Sequence, residues 1–163
     1  MRIALAGDHA GLDVKNTVAG WLRDWGHEVT DLGAHAYDAT DDYPDFAGAV
    51  AEAVAAGKAE RGVIVCGSGV GSSIVANKVR GVRAATCHDT YSAHQGVEHD
   101  DMNVICLGGR VIGLETAREV LRAFLGARFS GEERHARRLK KVLAIEAKGA
   151  QAEAAGQARQ GRR

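Results

Sequence analysis

Residues 63–73 read VIVCGSGVGSS: a run of β-branched side chains halts at a cysteine, and three glycines follow within five residues. A short continuous apolar run suits a strand buried on both faces, as in a parallel sheet. Glycines let the main chain turn sharply and aim N–H groups at an anion, and a following helix adds its positive end. A strand that feeds such a loop and then a helix is the repeating unit of α/β folds. Cys66 sits at the junction, where a thiol is either inert packing or a reagent.

Outward from this stretch the same pattern recurs. Apolar runs occupy 2–6 (RIALA), 28–32 (EVTDL), 62–66 (GVIVC), 82–87 (VRAATC) and 103–107 (NVICL). Between the first two, Val14, Val18, Trp21, Leu22 and Trp25 share a helical face, with Gly26 as a stop. Pro44, the single proline, stands where a second helix begins, Phe46, Val50 and Val54 follow at helical spacing, and Gly57 ends it. Leu114, Ala117, Val120, Leu121, Phe124 and Leu125 form another amphipathic stripe. Residues 132–149 predict a last helix edged by Leu139, Val142 and Leu143. Alternating strands and helices with right-handed crossovers predict an α/β fold: a Rossmann-like three-layer α/β/α sandwich on a five-stranded parallel sheet. Ligands of such sheets bind at the carboxyl ends of the strands. That rim reads Gly7-Asp8-His9, Gly33 onward, Gly67-Ser68-Gly69, His88-Asp89 and Gly108-Gly109-Arg110.

Bulk composition narrows the class. The 163 residues suffice for one domain, read here as 1–147, with a low-complexity tail at 148–163 that is frayed or helical. Lys plus Arg equals Asp plus Glu at 21 each, so bulk charge points to no nucleic-acid or membrane partner. No apolar run approaches a bilayer span, and Asp8 and His9 interrupt the N-terminus too early for a signal segment, so the expected location is cytoplasmic. Cys66, Cys87 and Cys106 are odd in number and lack C-x-x-C spacing, which argues against disulfides and structural zinc.

Each rim motif has two readings. The loop 67–71 is an anion cradle or a tight turn; with Ser72 where the dinucleotide fingerprint needs glycine, a nicotinamide oxidoreductase is disfavoured. Cys66, beside that loop, is packing, a nucleophile or a general base. Asp8 is a helix cap or a ligand contact. His99 with Asp100 and Asp101 is an acid–base group or a solvated loop, and its spacing does not suggest a metal site. Arg134 and Arg138, four apart in RHARR, are a phosphate fork or a solvated helix face.

Taken together, GDHAG, DYPDFA, CGSGVGSSIVANK, NVICLGGRVIG and RHARR occur in an order and spacing that resembles the type B ribose-5-phosphate isomerase family over residues 1 to 146. The resemblance implies aldose–ketose isomerisation of a phosphorylated sugar through an enediolate, with no cofactor and no metal. It implies Cys66 as the base, and Ser68 as a proton shuttle. Main-chain donors of Gly67, Gly69, Val70 and Gly71 would form the anion hole. Asp8 and Tyr43 would contact substrate, and His99 would open the sugar ring. His9, Arg110, Arg134 and Arg138 would hold the phosphate. It also implies a homodimer or dimer of dimers with shared sites, His99 and Arg110 reaching a site whose base lies on another subunit. One position departs from the family pattern: Asp100 stands where asparagine is usual, and a carboxylate accepts where an amide can donate. Ribose 5-phosphate is the favoured substrate, a four-carbon tetrulose phosphate or allose 6-phosphate the rival within the family. A non-catalytic phosphosugar-binding module is the rival outside it.

Overall fold

A computed structural model describes the backbone of residues 1–160 and the side chains of residues 1–149. The chain forms two compact units, Met1–Phe129 and the segment from Ser130 onward. In the first unit the elements are β1 (Arg2–Gly7), α1 (Leu12–Asp24), β2 (Glu28–Asp31), α2 (Tyr43–Ala55), β3 (Arg61–Cys66), α3 (Val70–Ala76), β4 (Ala84–Thr86), α4 (Thr90–Asp100), β5 (Val104–Gly108) and α5 (Leu114–Gly126). The second unit holds α6 (Glu133–Gln160), which runs unbroken through the 147/148 boundary expected from composition. No described helix is long and apolar enough to cross a membrane.

All five strands are parallel, in the order β2-β1-β3-β5-β4. The expected α/β sandwich is present. Alternation along each strand divides its side chains between the two faces. Ile3, Leu5, Val63, Val65, Ile105 and Leu107 pack on one face with Val18 and Leu22 of α1, Val97 of α4, and Leu121 and Phe124 of α5. Ala4, Ala6, Ile64, Val104 and Cys106 pack on the other with Val50 and Ala51 of α2 and Ala76 of α3. Each fully buried Leu, Ile or Val contributes about 1.5–3 kcal/mol. The second face is lined by small residues because α2 lies close: a Cβ on Gly62 would meet Val50 Cγ1 at 2.7 Å.

The helix stops are where the glycines are. Gly26 (φ +81°) and Gly57 (φ +69°) take the left-handed conformation just after α1 and α2, and Pro44 occupies the first turn of α2. The chain leaves β1 toward β2 on one side, whereas β3 feeds the β4–β5 side. The carboxyl ends of β1 and β3 thus flank a topological switch point, where open α/β sheets bind ligands.

Candidate active site

The loop after β3 is clamped between β4 and β5. Thr86 Oγ1 donates to the Gly69 carbonyl at 2.9 Å, and Gly109 N–H donates to the Cys66 carbonyl at 2.8 Å. Gly69 has φ +82°, and a Cβ there would strike Thr86 Cγ2 at 2.8 Å; one on Gly108 would strike the Ser68 backbone at 2.8 Å. Glycine is therefore required on both sides of this contact. The Gly69 N–H points at Cys66 Sγ, 3.1 Å away. Cys66 is 5% exposed, yet its sulfur meets a polar main-chain group rather than hydrocarbon alone. Ser68 is exposed, and its Oγ accepts a long bond from Val70 N–H at 3.4 Å. Two of the amides expected to face an anion, those of Gly69 and Val70, are thus turned to the side chains of their own loop.

The other two thiols are unsuited to chemistry. Burial, with Asp89 adding to it, pushes the Cys87 thiol up to about 11. Burial drives Cys106, which packs in the α2 face, further upward. A protonated thiol is neither nucleophile nor base.

The turn after β1 lies against the same loop. Gly11 presses α1 onto β3 so tightly that a Cβ there would lie 2.1 Å from the Val65 carbonyl oxygen. Ala10 Cβ comes within 3.6 Å of where a Gly67 Cβ would stand. Asp8 is buried, and its Oδ1 accepts from Gly11 N–H at 2.9 Å, so the carboxylate does cap this turn. His9 Nδ1 lies 2.5 Å from Asp41 Oδ1, and the His9 main-chain N–H donates to the same carboxylate at 2.9 Å and 3.1 Å. Tyr43, at the first position of α2, lies beside Gly71, where a Cβ would meet its ring at 2.8 Å. Arg110 donates its main-chain N–H to the Gly67 carbonyl at 3.1 Å, and its side chain lies over Gly67. One rim of one chain thus assembles Asp8, His9, Tyr43, Cys66, Ser68 and Arg110 around the loop of Gly67, Gly69, Val70 and Gly71. Arg110 stands at this rim of its own chain.

His99 and Asp100 are elsewhere. They end α4, which starts at the rim at Asp89 and runs back for 11 residues, about 16 Å. They sit just before the amino-terminal end of β5, whereas Cys66 stands at the carboxyl end of β3. His99 Nδ1 is 2.9 Å from Gln95 Nε2 and its Nε2 is 3.5 Å from Glu98 Oε2. Asp100 is exposed, and Arg83, just before β4, pairs with the neighbouring Asp101 at 2.7 Å. Arg134 and Arg138 are exposed on α6 in the second unit, Arg134 bonded to Glu132 at 2.8 Å.

Two polar residues of importance escaped the sequence reading. Asp41, which holds His9, has no periodic signal. Lys15 is 1% exposed and pairs with Asp31 at 2.7 Å; its place on the stripe Leu12, Lys15, Ala19, Leu22 was the available clue.

Comparison with known proteins agrees with this architecture. The family model described as Ribose/Galactose Isomerase matches residues 3–142. The chain is 47% identical over 134 residues to D-erythrulose-4-phosphate isomerase of Pectobacterium atrosepticum, covering 80% of this chain and 86% of that one. It is 43% identical over 145 residues to ribose-5-phosphate isomerase B of Escherichia coli, covering 89% and 96%. The solved structure of Clostridium thermocellum ribose-5-phosphate isomerase B superposes with a TM-score of 0.87 at 45% identity, covering 91% of this chain and 99% of that one. On the match of fold, sequence and length together, the chain belongs to the Ribose/Galactose Isomerase family of enzymes.

Proposed function

We propose that the chain interconverts D-ribose 5-phosphate and D-ribulose 5-phosphate by proton transfer, without metal or organic cofactor. The observation that carries this reading is the sulfur of Cys66, held by the Gly69 amide at the switch point, in a loop against which Tyr43 and Arg110 pack. In the open-chain aldose, the Cys66 thiolate takes the C2 hydrogen as a proton, and the C–H electron pair moves to form the C1–C2 double bond. The carbonyl π pair moves onto O1, giving the enediolate. Return of the proton to C1, with transfer of the O2 proton to O1 through Ser68, yields the ketose. The main-chain N–H groups of Gly67 and Gly71 stabilise the oxyanion, and His9 and Arg110 anchor the distal phosphate. His99 lies toward the amino ends of the strands while its own Cys66 lies at their carboxyl ends, which supports ring opening by the His99 of a second copy in a homodimer.

Replacing Cys66 with alanine should cut turnover by roughly 10²–10⁴-fold, the range for a general base, while phosphosugar binding survives. Unchanged turnover would remove Cys66 from the role. Mixing the inactive Cys66→Ala and His99→Ala chains should restore part of the activity, since a mixed dimer carries one intact site; no recovery would refute the shared site.

A tetrulose 4-phosphate is the second reading, favoured by Asp100 at the usual asparagine position and by the 47% identity to the Pectobacterium enzyme. Ranking kcat/KM across phosphorylated tetroses, pentoses and hexoses decides between them.

A further inference from the structure

We propose that Asp41 is a positioning residue that fixes the tautomer and orientation of His9 for phosphate recognition. The inference rests on the reading of His9 as a phosphate ligand. Asp41 lies on the connection between β2 and α2, 32 residues away in sequence, and its side chain is 10% exposed. Both carboxylate oxygens are engaged with His9. Oδ1 meets Nδ1 at 2.5 Å, and the main-chain N–H of His9 donates to Oδ2 at 2.9 Å and Oδ1 at 3.1 Å.

An ionised carboxylate only accepts, so Nδ1 must carry the hydrogen in this contact. Nε2 is then the nitrogen left for a ligand, and it has no hydrogen-bond partner among the described residues. The proton shared with a phosphoryl oxygen has one place to sit, between Nε2 and the phosphate, whether the ring or the phosphate brings it. The Tyr37 ring packs near-perpendicular to the imidazole, with ring centroids 6.0 Å apart and planes at 85°, flanking one side. Turning the Asp41 charge wholly onto His9 also matters because the connection carries Asp38 and Asp42, and an unengaged third carboxylate would repel the same phosphate. A carboxylate that orients a ligating imidazole through its second nitrogen is a known device around metals; here it would serve an anion.

The test uses the full chain. Charge-assisted bonds contribute about 1.5–3 kcal/mol, so Asp41→Ala should raise KM for the phosphosugar, and the inhibition constant of inorganic phosphate, by about tenfold or more. The kcat should stay within about twofold, because His9 acts on the bound phosphate alike in ground and transition states. Asp41→Asn, which keeps an oxygen acceptor, should recover most of the binding. In a His9→Ala background, Asp41→Ala should add less than about twofold, since the two act as one unit. Nitrogen-15 spectra of labelled histidine in the unliganded protein should show His9 protonated at Nδ1, and Asp41→Ala should scramble that tautomer. An Nε2–H tautomer, a loss confined to kcat, or full additivity of the two variants would overturn the proposal. The spectra and the phosphate titration need no turnover, so failure of the isomerase reading would leave the Asp41 result legible.

Discussion

Replacing Lys15 with methionine should be among the most damaging conservative changes in the protein. Methionine matches the apolar stem of lysine, so packing survives and the loss is electrostatic. Lys15 is 1% exposed, and its Nζ lies 2.7 Å from Asp31 Oδ2. Removing one partner of a buried pair typically costs about 3–5 kcal/mol, because the other charge stays buried and uncompensated. Asp31 is less enclosed than its partner: its side chain is 20% exposed, and its Oδ1 still accepts from Gly33 N–H at 3.0 Å. That places the expected loss near the lower end, about 3 kcal/mol. For a chain of this size such a loss lowers the thermal midpoint by about 6–12 °C. Urea unfolding at constant slope is the assay. The added change Asp31→Asn removes the stranded charge while keeping an acceptor for Gly33, so Lys15→Met with Asp31→Asn should be at least about 1 kcal/mol more stable than Lys15→Met alone. A single-variant loss under about 1 kcal/mol, the value of an exposed pair, would refute the reasoning. So would a double variant no better than the single one.

Three further outcomes follow from packing and charge. Gly11→Ala, at the cap of α1, and Gly20→Ala, within α1, are the same substitution with opposite signs. The first forces a Cβ to within 2.1 Å of the Val65 carbonyl oxygen and should cost about 3 kcal/mol with loss of activity. The second meets nothing within 4 Å and should gain about 0.5–1 kcal/mol, both read by urea denaturation. Burial raises the Cys87 thiol from 9.0 to about 11, so between those values the unfolded chain has released a proton that the folded chain retains. Stability should therefore fall as pH rises through that window, and Cys87→Ala should flatten the slope. The Ser92 main-chain N–H holds the Asp89 carboxyl below its ordinary 3.8. Its contribution is present above that pH and is lost as acid protonates it, so Asp89→Ala should lower the thermal midpoint at neutral pH and match the parent in strong acid.

The sheet was legible in the sequence because buried parallel strands are continuous apolar runs, and each of the five expected runs overlaps a strand. VRAATC shrank most, to Ala84–Thr86, because Arg83 bonds to Asp101 and Cys87 joins the core beyond the last paired residue. Two helices were harder to see. The buried face of α4 comes down to Ala93 and Val97, too little to give a periodic stripe, so His99 and Asp100 read as a loop when they end a helix. The seven residues of α3 are too few for any period to show. On the rim, glycines and Cys66 announced themselves by type and spacing. Asp41 did not, since a contact across 32 residues leaves no local trace. Nor did the opposite placement of His99, which depends on where α4 ends.

The strand order has a consequence for synthesis. β4 is made before β5 but pairs with β5 alone, which in turn fills the gap beside β3. A nascent chain that has reached Asp100 therefore carries an open seam in its sheet and a short strand with nothing to pair with. The last strand to emerge is inserted in the interior rather than added to a border, so cooperative closure waits for residues 104–108 to clear the ribosome. Chains stalled before that point expose the seam, making them natural clients for chaperones.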